Sequence, residues 1–215
     1  MSEPFDVFPL PLGALQANCF LVLGETAALV VDPGDEAHVV VEALSEVGVT
    51  PAAVLVTHGH FDHFGGVAPL AKHYSIPVYI GAEDAGQMAD GGLGAMAGLD
   101  IEPVQDPVLL EGERTLELPW TVTAIPTPGH SRGSYTFALD GHLFAGDLLF
   151  YGSVGRTDLP GGDMDALLDS VATLVRRFPA DTAVHCGHGP DTSLGRELAL
   201  NPFLSPLRHD PGHRW

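Results

Sequence analysis

The chain is poor in cysteine, in basic residues and in long apolar runs, and each shortage argues against a class of protein. Only two of its 215 residues are cysteine, and two isolated thiols are expected to stay reduced in the cytosol, although a disulfide is left open. Nine basic residues against 28 acidic ones give a net charge of −19. That balance argues against nucleic acid and anionic membranes as partners. No apolar run approaches the roughly 20 residues of a membrane helix.

What remains favours one globular domain in the cytoplasm. Hydrophobic residues make up 45% of the chain, and its length suits a single domain with a sizeable core. Residues 1–10 lack the basic start and long apolar stretch of a signal peptide, so we expect a cytoplasmic location. We therefore predict one domain over residues 1–215.

The hydrophobic pattern predicts an α/β protein with two strand-rich halves, stacked as sheets with helices outside. The predicted strands are residues 18–23, 27–32, 53–57, 77–80, 121–127, 134–139, 142–145 and 182–186. The predicted helices are residues 36–47, 67–74, 83–90 and 164–178, the last with Asp163 as N-cap. Asp140-Gly141 predicts a type I′ hairpin turn. Residues 91–98 are rich in glycine, and residues 91–106 predict an irregular or mobile loop, which either borders the substrate site or is a plain surface connection.

The most informative segment runs from Thr57 to Gly66 and reads THGHFDHFGG. It places four potential metal ligands within six positions, namely His58, His60, Asp62 and His63. A plain glycine-rich loop does not account for so dense a cluster. Imidazole and carboxylate ligands accept zinc, iron or manganese, and the lack of thiolates is unlike a structural zinc site. The cluster lies between a predicted strand and a predicted helix, where α/β proteins build their sites.

Three further candidate ligands follow predicted strands in the second half. They are His130, Asp147 and His188, and each is preceded by glycine, which lets the backbone turn closely past a metal. Singly, each is a weak signal. Together with the first cluster they supply ligands for two metals and a carboxylate to bridge them, which is what a two-metal hydrolase needs.

In residue type, order and approximate spacing, these seven residues resemble the metallo-β-lactamase-fold superfamily, with a match that begins at Asn18. The resemblance implies a four-layer αβ/βα sandwich with the metal site at one edge of the two sheets. It also implies two divalent metal ions, with zinc favoured and iron or manganese as alternatives. The first metal would be held by His58, His60 and His130, the second by Asp62, His63 and His188, and Asp147 would bridge them.

Residues 146–158 and 187–197 look like the small, single-domain glyoxalase II-like hydrolases. That resemblance implies a small-molecule thioester substrate such as an S-2-hydroxyacylglutathione, attacked by a metal-bridging hydroxide, with Asp62 as the catalytic residue that orients it. Larger members carry an added C-terminal domain that grips glutathione. The chain ends 27 residues after His188 (215 − 188), so we expect no such domain, and the thiol carrier is left open. Arg132 stands where the family usually has proline.

Other residues are weaker candidates. Tyr151, Arg156 and Arg196 are candidate contacts for an acidic substrate, against the alternative of structural ion pairs. Asp32 is a candidate to orient a histidine ligand, or only to shape its turn. Ser131 and Ser134 are expected to be structural. The remaining histidines are expected to be surface or core residues, and residues 209–215 a polar tail.

Alternative functions also follow from the resemblance. A persulfide dioxygenase would use one iron held by His58, His130 and Asp147. A metal-bearing binding protein with a lapsed active site is a non-enzymatic alternative. Hydrolysis of a lactone or β-lactam fits the same fold. The oligomeric state is left open.

Overall fold

Two six-stranded sheets form the centre of the protein. The structure, a computed structural model, describes residues 3–96 and 98–209; the predicted tail beyond residue 209 lies outside the described residues. The first sheet has the order β1 to β6, antiparallel up to β3 and parallel from β3 onward. Its strands are β1 (Asp6–Leu12), β2 (Ala17–Leu23), β3 (Ala27–Val31), β4 (Thr50–Leu55), β5 (Val78–Gly81) and β6 (Val108–Leu110).

The second sheet is built from the other half of the chain. Its strands are β7 (Arg114–Glu117), β8 (Thr121–Pro126), β9 (Tyr135–Leu139) and β10 (His142–Gly146), and, after a small hairpin of β11 (Leu149–Phe150) and β12 (Ser153–Val154), β13 (Ala183–Cys186) and β14 (Thr192–Ser193). The order across the sheet is β14-β13-β10-β9-β8-β7. Among the described strands of this sheet, only β10 and β13 pair in parallel, because the helix Met164–Arg177 makes the crossover between them.

The helices lie outside the two sheets. They are α1 (Ala37–Val47), α2 (Phe61–Phe64), α3 (Val67–Tyr74), α4 (Ala85–Asp90), α5 (Gly92–Met96), α6 (Met164–Arg177) and α7 (Leu194–Leu200), with 3₁₀ helices at Ala82–Asp84 and Pro202–His209. In the described part of the chain, none of the helices has the length and apolar character needed to cross a bilayer.

Side-chain alternation along the strands produces four layers. On β2, Phe20 and Val22 pack between the sheets against residues such as Phe137 of β9. Their neighbours Cys19 and Leu21 face the other way, into a core shared with α1 and α3. A third core lies between the second sheet and α6 and α7. Burying one such side chain contributes about 1.5–3 kcal/mol, and the three cores confirm the predicted αβ/βα sandwich.

The predicted helix cap and the predicted hairpin turn are both present in the structure, because each depends only on residues that are neighbours in the sequence. Asp163 caps α6 by accepting a hydrogen bond from the amide of Ala166 at 3.0 Å. Asp140 and Gly141 have φ of 40° and 84°, which is the type I′ turn. The predicted strand at residues 53–57 is displaced, however: β4 begins at Thr50, and its last residue is Leu55.

Residues 91–106 were predicted to be irregular, and that was wrong for α5. Its glycines disfavour a helix on propensity alone. Gly94 is nevertheless required by packing, because a β-carbon there would lie 2.8 Å from Cβ of Phe61 in α2. The pattern also missed the edge strands β1, β6 and β7. In β1, Pro9 and Pro11 disguise the strand, since proline is tolerated only at a sheet edge.

Candidate metal centre

Four loops bring the seven predicted ligands together at one edge of the sandwich. The loop after β4 carries His58 and His60, and α2 follows directly with Asp62 and His63. The loops after β8, β10 and β13 carry the other three ligands, His130, Asp147 and His188. Both sheets therefore contribute to the site, which is why residues from positions 58 to 188 lie within a few ångströms of one another.

The first group of ligands consists of three buried histidines, His58, His60 and His130. Their ring nitrogens lie within 4.8 Å of one another. Nδ1 of His60 is 2.8 Å from Nε2 of His130. The group therefore has the composition of a three-histidine metal site.

The second group consists of Asp62, His63 and His188. Oδ2 of Asp62 lies 3.2 Å from Nε2 of His188 and 3.8 Å from Nε2 of His63. Asp147 lies between the two groups: its Oδ1 is 3.4 Å from Nε2 of His63, and its Oδ2 is 3.5 Å from Nε2 of His130. One carboxylate thus faces both groups, as a bridging ligand must.

Hydrogen bonds show which ring nitrogens are free to bind a cation. Nδ1 of His130 lies 2.8 Å from the carbonyl oxygen of Arg156, which can only accept, so Nε2 carries a lone pair. The hydroxyl of Thr57 donates to Oδ2 of Asp32 at 2.6 Å and can therefore only accept from Nδ1 of His58, 3.0 Å away. Nε2 of His58 is thereby left bare and directed into the site.

Among residues 3–96 and 98–209, three atoms of the centre are buried without a hydrogen-bond partner: Nε2 of His58, Nε2 of His63 and Oδ1 of Asp147. A buried polar atom without a partner costs about 1–3 kcal/mol. Divalent cations would satisfy all three atoms at once, and imidazole with carboxylate is a donor set that such cations accept. The residues present therefore fit a two-metal centre.

Asp32 orients the second group. Its Oδ2 accepts from Nδ1 of His63 at 2.9 Å, and its Oδ1 accepts from the amide of Thr57 at 2.7 Å. Asp32, His58 and His63 also lie close enough to form a ligand group by distance alone. Because the oxygens of Asp32 already accept three hydrogen bonds, we assign it to orientation of His63, as the sequence suggested, and not to metal binding.

Burial and neighbouring charges set the protonation of these groups. Burial lowers the pKa of His58 and, together with His130, lowers that of His60 to about 4. Burial would raise the pKa of Asp147, but the charge of the nearby His63, with smaller effects from other histidines, lowers it to about 2. Burial would lower the pKa of His63, yet Asp147 and Asp32 raise it. His58 and His60 are thus neutral and ready to bind metal at neutral pH, beside the ionised carboxylate of Asp147.

The turn at residues 32–35 packs closely against the backbone of the ligand loop. A β-carbon on Gly34 would lie 1.6 Å from the carbonyl oxygen of Asp62. One on Gly65 would lie 2.4 Å from the carbonyl oxygen of Gly34. The turn after Asp32 and the ligand loop therefore touch backbone to backbone, which only glycine permits.

Asp84 is a buried residue of the site that the sequence analysis missed. Its Oδ2 accepts from the amide of Gly59, between two ligands, at 2.8 Å and from the hydroxyl of Ser131 at 2.5 Å. Its Oδ1 accepts from the amide of Gly133 at 2.9 Å. Asp84 thus ties the loop of His58 and His60 to the loop of His130. Its only sequence signal was an acidic residue in a stretch predicted to be helical.

Asn18 plays the corresponding part for His188. Its side-chain amide donates to the carbonyl oxygens of Cys186 and Gly189, both at 2.9 Å. Its backbone amide donates to the carbonyl oxygen of Gly187 at 2.7 Å. The loop that carries His188 is thereby fixed to β2 of the opposite sheet.

The candidate substrate contacts have other partners in the structure. The guanidinium of Arg196 stacks on the ring of Tyr151 at 3.3 Å and pairs with Glu197. Arg156 pairs with Asp158 at 2.7 Å. Their role in substrate binding stays a prediction. Ser131 and Ser134 hydrogen-bond to each other at 2.6 Å, in keeping with a structural role.

The sequence from residue 12 to residue 188 matches the metallo-beta-lactamase superfamily, and the chain therefore belongs to that superfamily. A probable metallo-hydrolase, YqgX, of Bacillus subtilis is 37% identical over 202 residues, covering 91% of this chain and 96% of the relative. The hydroxyacylglutathione hydrolase GloC of Haemophilus influenzae is 32% identical over 205 residues, with the same two coverages, 91% and 96%.

Solved structures agree with the fold. TTHA1623 in a di-iron-bound form is 44% identical, with a TM-score of 0.83, over 92% of this chain and 100% of that one. The B3 metallo-beta-lactamase BLEG-1 is 36% identical, with a TM-score of 0.85, over 93% of this chain and 100% of that one. The predicted metallo-β-lactamase fold is thus confirmed.

Proposed function

We propose that the protein is a metal-dependent hydrolase that cleaves a thioester such as an S-2-hydroxyacylglutathione. The observation that carries the proposal is Asp147, whose carboxylate lies within 3.5 Å of ligand nitrogens from both histidine-containing groups. Such a shared carboxylate suits two metals held side by side. The similarity to GloC, a hydroxyacylglutathione hydrolase, supports the thioester as substrate.

Each ligand group would hold one of the two metals. His58, His60 and His130 would hold one metal; Asp62, His63 and His188 would hold the other, with Asp147 shared. When bound, such a metal pair lowers the pKa of a water molecule and polarises the carbonyl to be attacked. We favour zinc, although the di-iron form of TTHA1623 keeps iron as an alternative, and manganese suits the same ligands.

Asp62 is the proposed catalytic residue. Its side chain is 14% exposed and its Oδ2 lies 3.2 Å from Nε2 of His188, so the carboxylate is accessible to a molecule in the site. Burial would raise the pKa of Asp62, but the hydrogen bond from His188 and the charge of His63 lower it. The carboxylate therefore stays ionised and accepts a hydrogen bond from the attacking water, which orients it. The departing thiolate needs little help from an acid, since thiols have a pKa of about 8.5.

The test is to load the protein with zinc, iron or manganese in turn and to measure both metal content and release of glutathione from S-lactoylglutathione. We expect about two metals per chain and hydrolysis that disappears when chelator removes them. A protein that holds two metals but cleaves no thioester would refute the proposal. A dioxygenase would instead bind one iron and consume oxygen with a persulfide.

Hydrolysis of a β-lactam is a second candidate, and the 36% identity to BLEG-1 is the observation that favours it. The two activities need the same attack of water on a carbonyl but differ in the leaving group. The same metal-loaded samples should be assayed with nitrocefin. Turnover of nitrocefin faster than that of every thioester tried would reverse the order of the two candidates.

A further inference from the structure

A cavity of about 820 Å³ opens beside His60. Its charged lining comprises Arg132, Glu83 and Asp90, apart from the buried Asp84, and Gln87 adds an amide. A 2-hydroxyacyl group is far smaller than this cavity. The space therefore suits the thiol-bearing part of a substrate whose acyl carbon lies at the metal centre.

The backbone at Arg132 is held rigidly. Its neighbours on both sides bond to the same buried carboxylate: Ser131 through its hydroxyl at 2.5 Å and Gly133 through its amide at 2.9 Å, both to Asp84. Gly161 lies beside the side chain, since a β-carbon added there would come 3.4 Å from Cγ of Arg132. The start of the Arg132 side chain is thus placed on the cavity wall by fixed structure.

The guanidinium of Arg132 has no carboxylate partner within the described part of the chain, although the protein carries 28 acidic residues. Three other arginines do pair: Arg156 with Asp158, Arg177 with Glu113 and Arg196 with Glu197. Arg132 is also exposed to the cavity. An arginine in this setting is suited to a carboxylate of a ligand, which its planar group can bind through two hydrogen bonds.

We propose that Arg132 determines specificity by binding a carboxylate on the thiol part of the substrate, while Glu83 and Asp90 pair with an ammonium group. This inference rests on the proposed thioester hydrolysis. It names the substrate class as thioesters of amino-acid-type thiols that carry both charges. The two acidic side chains would repel carriers with several phosphates.

Two thioesters with the same acyl group test the assignment: S-lactoylglutathione, which carries both charges, and S-lactoyl-N-acetylcysteamine, which carries neither. We expect Arg132→Gln to raise KM for the first by about 10-fold, the loss expected for one ion-paired hydrogen-bond set. kcat for the first and kcat/KM for the second should stay within about twofold. Arg132→Lys should fall between wild type and Arg132→Gln. Equal losses on both thioesters, or no change on either, would overturn the assignment.

Binding of S-methylglutathione, which cannot be hydrolysed, separates this inference from the proposed function. Calorimetry should show binding to the metal-loaded wild type, about 10-fold weaker binding to Arg132→Gln, and unchanged binding to Arg177→Gln, an arginine paired elsewhere. Binding that depends on Arg132 without thioester cleavage would refute the hydrolase and retain the subsite. Cleavage without any dependence on Arg132, or no binding to wild type, would refute the subsite.

Discussion

The two halves of the metal centre are built differently. In the first half, four ligands come from one short segment, and their spacing is set by the loop and by α2. In the second half, three ligands come from three separate loops, each placed by contacts from elsewhere. His130 is oriented by the carbonyl of Arg156 and its loop by Asp84, whereas the loop of His188 is tied to Asn18.

The difference indicates which ligands are most easily displaced by mutation. A local segment keeps its ligand geometry as long as its own turn survives. Ligands from distant loops depend on a few hydrogen bonds between elements, and loss of such outer partners typically lowers metal affinity or activity by about 10–100-fold. Variants of the shared ligand and of these outer partners should therefore differ in their effect on metal binding.

Asp147→Asn should have the largest effect, because it removes the charge that faces both ligand groups. We expect metal content below two per chain and thioester hydrolysis reduced by more than about 100-fold, beyond the range for outer partners. Elemental analysis and kinetics on the same samples would show this. Two bound metals and near-normal turnover would mean that the two ligand groups do not share Asp147.

Asp84→Asn should weaken the link between the first segment and the His130 loop. An asparagine amide would direct hydrogens toward groups that now donate, so metal affinity should fall by about 10–100-fold. Competition with a chelator measures the affinity. Glu46→Gln, the same loss of charge at an exposed position of α1, is the control and should bind metal normally. If Asp84→Asn behaved like this control, the link would not matter.

Asn18→Ala should loosen only the loop of His188. We expect the weaker of two metal-binding steps to shift by about 10-fold while the three-histidine group keeps its metal. Asn18→Asp should be worse, since a carboxylate would face the carbonyls of Cys186 and Gly189. A stepwise metal titration distinguishes the outcomes. Equal weakening of both steps would mean that Asn18 does not act on the second ligand group alone.

Glu197→Gln should affect stability and leave the metal centre alone. Glu197 is buried and accepts from Thr192 at 2.6 Å, from Gly152 at 2.8 Å and from Asn201 at 2.9 Å. Burial would raise its pKa, but these hydrogen bonds lower it. A depressed carboxyl pKa contributes stability above the unfolded pKa, and that contribution is lost as pH falls through the folded pKa.

For this variant we expect the free energy of unfolding of metal-free protein to fall by about 1–3 kcal/mol at pH 7. The difference from wild type should begin to shrink as pH falls to about 4, near the ordinary pKa of a glutamate, and should go on shrinking until the pH has passed through the lower folded pKa. Denaturant titrations at several pH values check this. A loss of metal affinity at neutral pH would place Glu197 among the supports of the centre, contrary to our expectation.

The hydrophobic pattern predicted stacked sheets with helices outside, and the candidate ligands stood out because they form a local cluster or end a strand. The four layers and the assignment of ligands to two metals came from the family resemblance. The edge strands escaped prediction, since their short or proline-containing runs carry little periodicity. Asp84 escaped it for another reason. Its partners Ser131 and Gly133 are 47 and 49 residues away, and nothing in an isolated carboxylate indicates which loops it will join.

The proposed role of Arg132 in substrate binding could not be predicted from the sequence either. The sequence marked it only as a departure from the usual proline. Its place on a cavity wall follows from the hydrogen bonds that its neighbours Ser131 and Gly133 make to Asp84, which no spacing rule reveals. Conversely, Tyr151 and Arg196 looked suited to an acidic substrate, but the structure stacks them on each other.

The contact between Gly34 and the ligand loop has a consequence for transplanting this centre into other proteins. A ten-residue graft of Thr57–Gly66 would lack the turn against which the ligand loop packs. That packing requires glycine, since a β-carbon on Gly34 would collide with the backbone of Asp62. The smallest portable unit is therefore two segments, the turn at residues 32–35 and the ligand loop, moved together and in register. Any host that presents a larger residue below the loop would push Asp62 away from its partners.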